Sequence, residues 1–219
     1  MASEIKTQIE LKKLKPEEIV NLARPGEIGA ILELILTDKD GKITDSRVMK
    51  SKSFLRQFLD FLWIQFMWPA NKAAMTIKDY SGGFASVFGQ HENMQAGAGA
   101  GATYWGIVVG TGTNLPAVDD YTLQAQIGHG VGAGQLQYSA VTFGAPASDT
   151  TSSQFTVTRN FANASGGSIT VNEIGLVLRS WLSSQCQMYH LVLRDVIAGG
   201  LAVPNGQTLT VNYRIIVVA

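Results

Sequence analysis

The chain has 219 residues, and its 17 Lys+Arg balance 17 Asp+Glu, so no long-range field directs it toward nucleic acid or an acidic surface. Its single cysteine, Cys186, excludes an intrachain disulfide and a thiolate zinc cluster, and fits assembly in a reducing cytoplasm. Residues 1–60 hold 21 of the 34 charged side chains; the remainder is poor in charge, which favours a surface covered by neighbours over a monomer solubilised by Ser, Thr, Asn and Gln.

Residues 1–27 read as an N-terminal arm, with Pro16-Glu17-Glu18 opening a short helix and Arg24-Pro25-Gly26 ending it. The arm docks on a neighbouring subunit in one reading and is a mobile terminus in the other. The first residues lack the apolar core of a signal peptide, so no export signal is expected. Residues 28–219 read as a single β-rich domain. Ile28 to Thr37 and Lys42 to Lys50 form a hairpin about Asp38-Lys39-Asp40-Gly41. That turn shares the opening of a calcium loop, but the twelfth position is Met49, and Asp and Gly satisfy turn geometry unaided.

A helix is predicted near 53–67, capped by Ser51 or Ser53 and closed by Pro69. Phe54, Leu55, Phe58, Leu59, Leu62 and Phe66 recur at helical spacing, and Phe61, Trp63, Ile64 and Met67 widen the stripe until the helix reads as buried all round, either as the central helix of the fold or packed between subunits. It is too short and too interrupted by polar residues to span a bilayer. Ala74 to Tyr80 and Phe84 to Phe88 are short strands. Gln95 to Thr103, alternating Gly and Ala, lacks the ending of a phosphate loop and reads as a loop lying close to another backbone. Tyr104 to Val109 is a buried strand, Gly110 to Leu123 a long turn, and Gln135 to Phe143 a further strand.

From Ser152 the pattern is regular. Phe155, Val157 and Arg159 share one face against Thr156, Thr158 and Asn160, a period of two. Ile169 to Leu178, Tyr189 to Ile197 and Thr208 to Val218 follow, with turn chemistry at Asn163–Ser168 and Pro204-Asn205-Gly206. These four runs are expected to form one antiparallel sheet, half of a sandwich or barrel. Ile169-Thr-Val-Asn-Glu-Ile-Gly-Leu176, Leu191-Val-Leu-Arg-Asp-Val-Ile197 and Asn205-Gly-Gln-Thr-Leu-Thr-Val-Asn-Tyr-Arg-Ile215 resemble a pattern that closes a β-domain in virion structural proteins of tailed bacteriophages. The resemblance covers roughly the second half of the chain.

No residue is assigned a catalytic, cofactor-binding or metal-binding role. His91, His129 and His190 are far apart in sequence, Cys186 sits in no nucleophile motif, and the adjacent Asp119 and Asp120 suit a cap or turn better than acid–base work. The predicted architecture is mainly β, an antiparallel β-sandwich or barrel with one long buried helix and the N-terminal extension. The resemblance implies a non-enzymatic structural subunit of a tailed-phage virion (tail, connector or capsid decoration), assembled in the host cytoplasm. Its partners would be identical subunits and other virion proteins, without nucleic acid or membrane, through strand edges such as Thr208 to Val218. The alternative is a receptor- or carbohydrate-binding β-module of a phage fibre. It would bind a host-surface glycan through stacking faces among Tyr104, Trp105, Tyr121, Tyr138 and Trp181; core packing is the competing fate of these rings.

Overall fold

The computed structural model describes residues 25–51, 53–67, 75–87, 94–183 and 186–219; residues 1–24 of the predicted arm, and Pro69, lie outside them. Strands β1 (Ile28–Thr37) and β2 (Ile43–Ser51) form the predicted hairpin. At its turn Asp38 Oδ1 accepts the backbone N–H groups of Asp40 at 3.0 Å and Lys42 at 2.9 Å, and Gly41 takes φ +78°. The aspartate is used to reverse the chain, as its side-chain reach allows.

The other strands in chain order are β3 (Met75–Lys78), β4 (Phe84–Val87), β5 (Gly106–Gly110), β6 (Gln137–Tyr138), β7 (Thr142–Phe143), β8 (Ala147–Ser148), β9 (Ser152–Ala162), β10 (Ile169–Ser183), β11 (Cys186–Val203) and β12 (Thr208–Val218). All pairings between them are antiparallel. The largest sheet runs β2-β1-β12-β9-β6, with β7 and β8 also on β9; the second runs β11-β10-β5, and β3-β4 is a separate hairpin.

Three expectations are corrected by this topology. The four C-terminal runs do not share a sheet: β9 and β12 belong to the first, β10 and β11 to the second. Period two reveals a strand's faces and says nothing of its pairing partner. Thr208–Val218 is not an edge either, since β1 and β9 flank β12 along its length. Its inward Leu209, Val211 and Tyr213 are fully buried, which suits a central position. One edge of that sheet is β2, whose Asp45, Arg47 and Lys50 are the kind of charge that guards an edge, and the short strands β6, β7 and β8 form the other. The continuous strand predicted over Gln135–Phe143 is two fragments, because Val141 N–H leaves the ladder to donate to Ala98 O at 2.8 Å.

Strands β10 and β11 also outrun their predicted ends. Between Val171 and Glu173 the partner on β11 jumps from Leu201 to Val196, so Ile197 to Gly200 loop out as a bulge. Gly199 and Gly200 supply it with φ of +75° and +64°, values that L side chains avoid. In the sequence those glycines look like a strand end. The two links that carry the chain between sheets are tied together: Asn163 Nδ2 donates to Val203 O at 2.7 Å and Gly206 N–H to Asn163 O at 2.7 Å.

Helix α1 (Arg56–Met67) lies against β11 and β3. It is not capped by Ser51, which ends β2, or by Ser53, whose carbonyl accepts Arg194 N–H. Instead Leu55 N–H donates to Val192 O and Arg56 N–H to Val118 O, both at 2.9 Å, so neighbouring backbone satisfies the first turn. The helix is not buried all round within the single chain, so it is not the central helix of the fold. Gln57, Phe61 and Ile64 share the buried face, whereas Leu59, Trp63 and Phe66, on the opposite face, are 67%, 47% and 86% exposed. Hydrophobicity on every side conceals which face is covered. Among the described residues no helix is long and apolar enough to cross a membrane.

Candidate functional site

The three motifs that carry the resemblance place buried polar residues on both faces of the second sheet, Glu173 and Arg194 on one and Asp195 with Tyr213 on the other. Glu173 is wholly buried; its Oε1 accepts the N–H groups of Gly112 at 3.1 Å and Ala125 at 2.7 Å, and its Oε2 that of Gln124 at 3.0 Å. Arg194, beside it on β11, donates to the same Oε2 from Nε at 3.0 Å and Nη2 at 2.8 Å. Arg194 Nη1 reaches Asp120 Oδ2 at 2.8 Å and Nη2 reaches Asn114 O at 3.1 Å. Asn172 Nδ2 donates to Thr111 O at 2.8 Å. Together these side chains tie the long loop from 111 to 125 onto the second sheet. Asp195 accepts the Tyr213 hydroxyl at 3.0 Å, and that hydroxyl also donates to Ile174 O at 3.3 Å, linking the two sheets. Burial, reinforced by Asp195, pushes the Tyr213 hydroxyl well above its usual range. The Glu173 carboxylate, the Arg194 guanidinium and the Tyr213 hydroxyl are each engaged with protein, which is the signature of architecture.

Arg159 is the second buried cation, with no exposed surface. It points inward with Val157, as the alternation predicts, and is saturated by carbonyls. Nε donates to Ser139 O (2.8 Å), Nη1 to Trp105 O (3.2 Å) and Ile107 O (2.8 Å), and Nη2 to Gly99 O (3.0 Å) and Ala102 O (2.7 Å). Its guanidinium stacks 4.8 Å from the Tyr138 ring. Burial lowers Arg159 to about 10, which leaves it charged at neutral pH. The glycine–alanine loop is thus clasped from inside the protein. Alternation along β9 predicts the face of Arg159 but not its carbonyl partners, which lie 20 to 60 residues away.

The residues weighed for chemistry are dispersed. His129 Nδ1 accepts Tyr138 N–H at 3.0 Å. His190 is buried between Ser180 Oγ at 3.1 Å, Lys78 O at 3.0 Å and the Phe61 ring. Because a carbonyl only accepts, Nδ1 carries the proton and Nε2 accepts from Ser180. Burial lowers the His190 pKa. Asp120 caps Ala117 N–H at 2.9 Å in addition to pairing with Arg194, a turn role together with an ion pair that spacing did not suggest. His91 lies outside the described residues, as does the side chain of Cys186. Among the described residues no three His, Cys, Asp or Glu are grouped to hold a metal.

The five rings weighed for stacking divide. Tyr138 is core, donating to Ile127 O at 2.6 Å, and burial pushes its hydroxyl up to about 12. Tyr121 carries the Lys78 ammonium 3.8 Å from its centroid. Trp105 and Trp181 flank Arg179, whose guanidinium lies 4.1 and 5.4 Å from their rings. Tyr104, half exposed, stands edge-on to Tyr189 at 4.8 Å. Arg179 and Trp181 are two apart on β10, and that spacing was the available signal for a shared face.

No family model, curated protein or solved structure matches this chain. The candidate working surfaces are therefore those its own geometry provides: the outer face of α1, and the groove beside Arg179.

Proposed function

We propose that this chain is a structural subunit of a tailed-phage virion, a tail, connector or capsid-decorating component that acts through contacts with identical subunits and other virion proteins. In this reading its two main sheets pack as a β-sandwich, with Arg159 and Tyr213 bridging them. The observation that carries the proposal is the outer face of α1. Leu59, Trp63 and Phe66 recur at helical spacing and are 67%, 47% and 86% exposed. They present about 400 Å² of apolar surface, the size of the largest patch on a typical monomer, which is often functional. A chain of zero net charge also lacks the self-repulsion that keeps monomers apart. The motif resemblance supplies the virion context.

The test is light scattering with negative-stain microscopy on the purified chain over a hundredfold range of concentration, beside the variant Leu59→Glu/Phe66→Glu. The expected result is a uniform oligomer for the parent and a folded monomer, by circular dichroism, for the variant. A parent that stays monomeric throughout would overturn the proposal.

A further inference from the structure

We infer that the groove beside Arg179 is a binding site for acidic saccharides, a function separate from the assembly role proposed above. Beyond Val177, the last residue of β10 that β5 pairs, the ladder is continued by Gln95 of the glycine–alanine loop, which bridges Arg179. Gln95 Oε1 accepts from both Nε and Nη2 of Arg179, at 3.0 and 2.6 Å. With Trp105 and Trp181 at its faces, the guanidinium is held in place before any ligand arrives. Arg194 has carboxylate partners and Arg159 is saturated by carbonyls; Arg179 has neither arrangement, and no carboxylate pairs with it among the described residues. It lines a groove of about 320 Å³ together with Met94, Gln95, Gly97, Trp105 and Phe143.

The chemistry of the lining selects the ligand. Among the described residues Arg179 is its single charged one, which suits one carboxylate and is too little for a polyphosphate chain, whose binding draws on several cations. Phe143 in the lining and Tyr104 beside Trp105 are about half exposed, and aromatic faces suit the C–H faces of pyranose rings. The volume lies at the lower end for ligand sites, which suits one or two sugar units. Uronic or sialic acid residues combine those two features. Immobilising Arg179 in advance removes part of the ordering cost of binding.

The purified full-length chain should be screened against oligosaccharides terminating in glucuronic or sialic acid, each beside its carboxyl-reduced counterpart. Hits are then titrated by calorimetry. Acidic members should bind with Kd on the order of 0.1–1 mM, and the reduced ones about tenfold or more weaker, as loss of a charge-assisted contact implies. Arg179→Gln should weaken the acidic ligand to the same degree, and Tyr104→Ala by about threefold to tenfold, the scale of one lost ring contact. Should Arg179→Gln fail to fold, Tyr104→Ala and Phe143→Ala, at exposed rings, carry the test. Equal binding of acidic and reduced sugars, no acidic sugar bound, or unchanged affinity in the folded variants would overturn the inference. The oligomeric state of the chain has no bearing on these outcomes.

Discussion

Replacing Glu173 by Ala tests whether the buried cluster holds the 111–125 loop. The carboxylate accepts three backbone N–H groups and two guanidinium N–H groups at 2.7 to 3.1 Å with no solvent exposure. Its removal leaves Arg194 with the Asn114 carbonyl and one carboxylate, Asp120, whose side chain is 27% exposed. Breaking a buried ion pair from one side destabilises by about 3–5 kcal/mol. The amides of Gln124 and Ala125 belong to exposed residues and recover water, whereas Gly112 is buried and does not. A loss of about 4 kcal/mol is therefore expected, a large share of a typical domain's 5–15 kcal/mol. Urea unfolding gives the magnitude, and hydrogen exchange gives the location: the amides of Gly112, Gln124 and Ala125 should lose protection before those of β12. Glu173→Met/Arg194→Met, which removes both charges, should be less damaging than Glu173→Met alone. A single-variant loss under about 1 kcal/mol, or unchanged exchange at the three amides, would refute the reasoning.

Arg159→Met should lower stability by more than about 3 kcal/mol, because five carbonyls lose a charged donor; Arg159→Lys, with three donors for five acceptors, should fall between it and the parent in urea melts. His190, whose pKa is lowered by burial, favours the folded state fully above its unfolded value near 6.5. Its contribution is lost as pH falls from there toward the folded value, with a slope of at most about 1.4 kcal/mol per pH unit. Comparing urea midpoints of the parent and His190→Asn at pH 7.5 and 5 isolates this contribution from the carboxylates, and the variant should lose less stability on acidification. Gly110→Ala would place a Cβ 2.5 Å from Glu173 Oε1 and 2.6 Å from Ala125 O, so thermal denaturation should show a loss of at least about 1–3 kcal/mol. Gly167→Ala, with nothing within 4 Å, should change stability by less than about 0.5 kcal/mol.

Local chemistry was legible in this sequence, and tertiary pairing much less so. The Asp38 turn and the ends of β1 and β12 follow from side-chain alternation and turn residues, which act within a few positions. The C-terminal end of β11 was misread because Gly199-Gly200 serves as a bulge inside a ladder and the same dipeptide also ends strands. The exposed stripe of α1 was hidden because Leu59, Trp63 and Phe66 are as apolar as the buried Phe61 and Ile64. The Glu173–Arg194–Asp120 cluster joins residues 21 and 74 positions apart, and Arg179 meets Gln95 across 84; no spacing rule reaches that far. Arg159 shows the limit well. Its orientation was readable from its strand, but the carbonyls that make it tolerable inside the protein were not.

The pairing of β1 with β12 has a consequence for how the chain is made. Thr37 meets Thr208, 171 residues later, so the N-terminal hairpin leaves the ribosome long before its central partner exists. At about 5–20 residues per second it waits roughly 10–35 s, with the apolar face of Leu32, Leu34 and Leu36 uncovered. Through that interval the nascent hairpin is a natural client for a chaperone. Closure of the first sheet is then a late event, as its long-range contacts require, and completion of β12 is the step that pairs the hairpin's open edge.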